Sequence, residues 1–147
     1  MTPRTLISAA AGGIILMGCA YPWPSITSSA ECTVQHCEVA ISANQHDMPS
    51  FGCFVDRADP YTLVVRHARP VSVTFRLDAG SAQNGYAFAS NGIVFDDPTG
   101  WTCPQIPANA KLAVCTNAAG PGNHKYTVNL VKGSAPCEPH DPFVVNQ

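Results

Sequence analysis

Charge is scarce in this chain of 147 residues. Asp, Glu, Lys and Arg together make 12% of it, about half the share in ordinary soluble domains. Neither sign dominates, with 8 basic and 10 acidic side chains, which excludes a basic nucleic-acid binder and a disordered polyelectrolyte. No segment repeats apolar residues at a helical period of 3.6 over a useful length, so a long coiled coil is excluded as well. The length suits one domain rather than several. Catalytic signatures are also missing: there is no Gly-x-Ser-x-Gly elbow, no His-Glu-x-x-His and no Ser-x-x-Lys. No Cys-x2-Cys pair offers the usual spacing of a zinc site.

What the chain does have is 13 prolines, 11 glycines, 46% apolar residues and 7 cysteines, an odd number that cannot pair completely. The first of those cysteines closes a short leader. Arg4 precedes an apolar stretch from Leu6 to Gly18, rich in small residues. A spanning helix needs about 20 apolar residues, so this stretch has the layout of a secretory signal instead. It ends in Leu16-Met17-Gly18-Cys19, which resembles the lipobox of bacterial lipoproteins. The resemblance implies removal of residues 1–18 and acylation of Cys19 as the new N-terminus. Cleavage after Ala20, where Gly18 and Ala20 form a small-x-small pair, is the alternative. Either route exports the chain and leaves six cysteines, Cys32, Cys37, Cys53, Cys103, Cys115 and Cys137, for an oxidising compartment. Ala20 after the modified cysteine, with no Asp there, resembles lipoproteins passed to the outer membrane. Residues 19–30 read as a lipidated cysteine followed by a Pro/Ser-rich tether. From Ala20 to Glu31 it could stretch to roughly 40 Å. Tyr21 and Trp23 could rest among lipid headgroups or cover the domain's edge.

Residues 31–147 are expected to form a single domain. Val71, Val73, Phe75 and Leu77 alternate with Ser72, Thr74 and Arg76, the pattern of a half-buried strand. Tyr126, Val128 and Leu130 repeat it. Shorter candidates are Cys37–Ile41, Tyr61–Val65, Tyr86–Ala89, Ile93–Phe95, Leu112–Thr116 and Phe143–Val145. Asn84-Gly85, Asn91-Gly92, Asp59-Pro60, Asp97-Pro98 and Gly120-Pro121-Gly122 mark turns between them. About seven to eight short strands without intervening helices predict an all-β fold, an antiparallel immunoglobulin-like β-sandwich stapled by disulfides. Six cysteines allow 15 pairings. Cys103 and Cys115 flank a reversal and make a local pair, which leaves Cys32, Cys37, Cys53 and Cys137 to share two bridges.

Chemistry is harder to find. Cys32, His36, Cys37, His46 and Met48 form the densest group of soft ligands, and they are the basis for a copper or zinc alternative. Asp96 and Asp97 beside Trp101 suggest a sugar site, but adjacent carboxylates do not face one another across a bound sugar. His67, His124 and His140 are expected on loops or strand surfaces. Four arginines, Arg57, Arg66, Arg69 and Arg76, lie close in sequence, and Arg66 with Arg76 could share one outer face as an anion patch. No catalytic residue, metal ligand or cofactor is assigned.

The stretch Gly92-Ile93-Val94-Phe95-Asp96-Asp97-Pro98, the strand Tyr126-Thr127-Val128 and the ending Asp141-Pro142-Phe143-Val144-Val145-Asn146 resemble small bacterial β-proteins with a Tyr-Thr-Val strand and an Asp-Pro-aromatic-x-Val-Asn ending. That resemblance implies the immunoglobulin-like sandwich and brings no activity with it. The expectation is an exported envelope lipoprotein, facing the periplasm from the outer membrane. Its partners would be the membrane, through its lipid, and an envelope protein or glycan, with no nucleic acid. It would act as a non-enzymatic binding or structural module. An inhibitor of a lysozyme-like or protease enzyme is the alternative, with Gly120–His124 or Ala79–Gly85 as its plug.

Overall fold

The computed structural model describes residues 28–47 and 52–147. The leader 1–18, Cys19, the tether up to residue 27 and Met48 lie outside the described residues. The described residues form eleven strands and one short helix, in chain order: β1 (Ser29–Cys32), β2 (His36–Gln45), β3 (Cys53–Asp59), β4 (Thr62–Val65), β5 (Val71–Leu77), α1 (Ala79–Gln83), β6 (Tyr86–Phe95), β7 (Trp101–Thr102), β8 (Leu112–Asn117), β9 (Gly122–Lys132), β10 (Ala135–Pro136) and β11 (Phe143–Asn146). The alternation in β5 works as its sequence demands. Val71, Val73, Phe75 and Leu77 are buried, while Ser72, Thr74 and Arg76 stay on the outer side. In β9 the inward set is Tyr126, Val128 and Leu130.

The strands make two sheets, one ordered β3-β2-β5-β8-β7 and the other β1-β4-β11-β9-β10, with β6 also paired to β9. Their inner faces share one apolar core running from Cys32 to Val144. Phe75 of the first sheet meets Tyr126 of the second, ring centroids 5.1 Å apart, and Tyr126 also touches Phe95 at 5.4 Å. The fold is therefore all-β and two-layered.

Four expectations need correction. The pairing is not uniformly antiparallel, since β1 with β4, β4 with β11, and β2 with β5 are parallel. The cause is a long excursion: after β2 the chain forms β3, bends at Asp59-Pro60 and enters the opposite sheet as β4. It then returns as β5 in β2's direction. The strand count exceeds eight because two-residue strands and β1 add to it. Asn91-Gly92 is no hairpin turn either. Tyr86–Phe95 is one strand with a bulge between Phe88 and Ile93. Gly92 is required there by packing, because a Cβ would come within 2.9 Å of Phe88 and 2.8 Å of Ile106. Asn84-Gly85 does turn, with Gly85 at φ 84°. The segment Ala79–Gly85, read as an open loop, contains α1, whose cap Asp78 accepts a hydrogen bond from Ser81 N–H at 2.6 Å.

The six cysteines pair as Cys32–Cys37, Cys53–Cys137 and Cys103–Cys115. The first two each tie one sheet to the other. Cys53–Cys137 reinforces a seam where Val55 N–H donates to Glu138 O at 2.9 Å and Glu138 N–H to Cys53 O at 2.7 Å. On its other side this segment bonds β9, with Val128 N–H donating to His140 O at 2.8 Å. The ordered sheet also begins earlier than residue 31, since Ser28 accepts from Thr62 N–H through its carbonyl (2.9 Å) and from Tyr61 N–H through Oγ (3.0 Å).

Candidate functional site

The parallel strands β1, β4 and β11 all finish at the same end, where Cys32 aligns with Val65 and Val65 with Asn146. Loops 32–36, 65–71, 97–101 and 117–124 converge there with residue 147. Backbone bonds link them: Arg66 N–H to Cys32 O (2.9 Å), Ser72 N–H to Gln35 O (2.8 Å), Ala118 N–H to Gly100 O (2.7 Å) and Gln147 N–H to Val65 O (3.0 Å). Ser28 stands at the other end of β1.

Two buried asparagines fasten this end. Asn117 closes the inward row Ala113, Cys115, Asn117 of β8, and Asn146 follows inward Val144 in β11. Asn117 Nδ2 donates to Asn146 Oδ1 at 2.8 Å, and Asn146 Nδ2 returns a bond to Asn117 Oδ1 at 3.2 Å. Asn146 Nδ2 also reaches the carbonyls of Ala119 (3.2 Å) and Gly120 (3.1 Å), while Asn117 Oδ1 accepts from Ala119 N–H (3.1 Å). The two sheets and the Gly120–His124 loop are thus held by one polar clasp. Gly100 allows the neighbouring loop to close on it: its φ is 77°, and a Cβ would stand 2.5 Å from Ala119 Cα. His124 leans back over its own loop, Nε2 lying 3.0 Å from Gly120 O, with its ring edge-on to Trp101.

The sugar reading does not survive this geometry. Trp101 is 8% exposed and stacked on Phe95 at 3.7 Å, so it presents no platform. Asp97 accepts a hydrogen bond from Thr99 N–H at 2.9 Å as an ordinary turn carboxylate. That bond, helped by His124, holds its carboxyl below the usual range. The anion patch is divided as well. Arg66 follows β4 in one sheet and pairs with Glu31 at 2.9 Å, whereas Arg76 lies in β5 of the other and pairs with Glu38 at 3.1 Å. Arg66 does join Arg69 and His67 at the loop end, where Arg69 Nη1 donates to Gln147 O at 3.4 Å and His67 Nδ1 lies 2.8 Å from Ala68 O.

The soft-ligand group is dispersed too. Cys32 and Cys37 spend their sulfurs on each other, and His36 and His46 stand at opposite ends of β2, roughly 33 Å apart by strand rise. His46 lies 3.5 Å from Glu138. Among the described residues no three His, Cys, Asp or Glu side chains gather as a metal site.

His140 lies in the loop between β10 and β11, one of the two placements expected of it, but it is not a freely exposed residue. It is half-buried in the seam, edge-on to Tyr61, and its Nε2 has no hydrogen-bond partner among the described residues. Burial holds its imidazole below the ordinary value, against the pull of Asp141 and Asp56. Beside it Asp141 accepts from Thr127 Oγ1 at 2.8 Å and pairs with Lys125 at 3.0 Å. Those bonds lower the Asp141 carboxyl and raise the Lys125 amine. Sequence reasoning passed over the asparagine clasp. Its one available signal was phase, because both asparagines fall on the inward positions of their strands. The chain matches no protein-family model and no curated protein sequence.

Proposed function

We propose that this protein is an exported envelope lipoprotein, anchored through acylated Cys19, whose immunoglobulin-like sandwich serves as a non-enzymatic binding or structural module. The observation that carries the reading is the pairing of all six remaining cysteines among themselves, downstream of a lipobox-like Leu16-Met17-Gly18-Cys19. Disulfides on this scale belong to oxidising compartments, and the leader supplies the route to one. The loop end, with its four converging loops, is the candidate surface for a macromolecule of the periplasm. Intact-mass measurement of the membrane-extracted protein tests this. The expected species starts at Cys19, carries acyl groups and is lighter by six hydrogens than its fully reduced form. A start after Ala20 without acyl groups removes the anchor, and free thiols remove the compartment.

The inhibitor reading draws support from the clasp. A loop already fixed by Asn146 loses little entropy when it enters an enzyme's cleft. Equimolar protein should then abolish lysozyme or protease turnover, and unchanged turnover retires that reading.

A further inference from the structure

One stretch of sheet edge, at Ile93 and Phe95 (5% and 6% exposed), has no strand partner beside an apolar groove. Within β9, Val128 N–H donates to His140 O and Tyr126 N–H to Pro142 O, both away from β6. Ile93 and Phe95, which face Val128 and Tyr126, therefore have no ladder bonds with β9. The bond from Asp96 N–H to Lys125 O, 3.1 Å, sets the same phase. The N–H and C=O groups of Ile93 and Phe95 point outward from the sheet. The segment that covers the earlier half of β6 stops short of them, its last bond being Ile106 N–H to Ser90 O at 3.1 Å. Among the described residues no backbone or side chain takes up these four groups.

The groove along this edge is lined by Ile93, Val94, Phe95, Pro98, Trp101 and Cys103 and measures about 310 Å³. That lies at the small end of the range for small-molecule sites, about 300–1,000 Å³, and suits a side chain better than a cofactor. Val94 is 43% exposed at its rim, and buried Trp101 has an Nε1–H without an acceptor among the described residues. At the C-terminal end of the edge stand Asp96 and Asp97, both exposed. Lys125, which also feels the charge of Asp96, is committed to Asp141.

We propose that the β6 edge at Ile93–Phe95 accepts an extended peptide strand from a partner protein, with an apolar side chain in the groove and a basic residue beside Asp96 and Asp97. The inference rests on the binding-module reading and gives it a site. An added strand satisfies outward N–H and C=O groups in alternation, which a globular contact does not. The groove supplies the side-chain selectivity, and the two carboxylates favour a lysine or arginine near the strand's end. An open edge is otherwise an aggregation hazard that proteins cover or charge.

The test uses the oxidised protein and a labelled ten-residue peptide alternating valine and threonine, with lysine at both ends. Two further peptides carry N-methyl groups on every second amide, one series for each edge of the strand. One series should weaken binding by about tenfold, through two lost main-chain bonds, and the other should change it little. Bound peptide should slow amide exchange at Ile93 and Phe95. The variant Asp96→Asn with Asp97→Asn should weaken binding by about threefold, as exposed ion pairs allow. Equal losses from both methylated series overturn the proposal. So does protection at Ser29 and Glu31 on the β1 edge, or the absence of saturable binding at millimolar peptide. Concentration-dependent protection of Ile93 and Phe95 without peptide also overturns it, because a second copy then occupies the edge. Photo-crosslinkers placed at Val94 and at Pro121 in native envelopes separate this failure from the wider one. Adducts at Pro121 alone keep the binding module and remove the β6 site, whereas adducts at neither remove both.

Discussion

The loop end and the seam solve the same problem, joining two sheets, by opposite means. At the loop end two buried asparagines answer each other and the Gly120 loop through five hydrogen bonds of 2.8–3.2 Å. At the seam the joint is covalent, Cys53–Cys137, with backbone bonds to β3 on one side and β9 on the other. The seam also tolerates buried polar atoms without partners among the described residues, His140 Nε2 and, in the adjoining core, Tyr126 Oη. The contrast indicates a division of labour. A cross-link between distant parts of the chain limits the unfolded state, and a satisfied polar network fixes one geometry in the folded state. Closure lies at the seam, and the shape of the loops lies at the clasp.

Breaking the bridges should separate the ends most strongly. Cys53 and Cys137 are 84 residues apart in sequence, whereas Cys32 and Cys37 are 5 apart. Loop-closure entropy then assigns about 4–5 kcal/mol to the seam bridge and about 2 kcal/mol to the other. The double variant Cys53→Ala with Cys137→Ala should lose roughly twice as much stability in urea as Cys32→Ala with Cys37→Ala. Equal losses would mean that the denatured chain is already compact around the seam.

The clasp comes next. Asn146→Ala leaves Asn117 Nδ2 and two loop carbonyls without their partner, at a cost of about 2–3 kcal/mol. Amide exchange should quicken in residues 117–124 and stay slow in β9 near Val128. Replacing both asparagines by leucine should restore part of the stability without restoring protection of the loop, since apolar packing substitutes for energy but not for geometry. Tyr126→Phe tests the reverse condition at the core. It removes a buried hydroxyl whose ionisation burial already pushes far up, and which no described group satisfies. A neutral result, or a gain of up to about 1 kcal/mol in thermal unfolding, is expected. A clear loss would reveal an ordered water on Tyr126.

Much of this division is invisible in the sequence for physical reasons. The alternation of Val71, Val73, Phe75 and Leu77 reports which face is buried, so the all-β class and the two-layer core were legible. Period two says nothing about which strand lies alongside or in which direction. The parallel pairs β2–β5 and β4–β11 depend on a crossover between sheets, which is a property of the whole path. Proximity in sequence misled for Arg66 and Arg76, because Pro70 and the loop before it carry the chain from one sheet to the other. Asn117 and Asn146 look like ordinary strand-end polar residues until their inward phase is taken seriously. His140 gives no warning at all, since the groups packed on it, Tyr61 and β9 at Val128, are distant in sequence.

The smallest effect should come from His140, and it falls on the seam alone. Its imidazole is held below the ordinary value, chiefly by burial. In the unfolded chain it takes up a proton near pH 6.5, while the folded seam resists until the pH is lower. Between those two values the unfolded state binds more protons, so stability decreases as pH falls from about 6.5 and recovers as pH rises. Asp141, lowered by Lys125 and Thr127, acts in a separate window. Its contribution is present above the ordinary carboxylate value of about 3.9 and is lost as pH falls through the lower folded value. His140→Phe should therefore flatten the urea midpoint between about pH 7 and 5 and leave the acid limb below about pH 4 in place. If the upper limb persists in that variant, another group carries the proton. His140 would then contribute no more to the pH dependence above about pH 5 than the asparagine clasp, whose amides do not titrate, and Asp141 alone would mark the seam in acid.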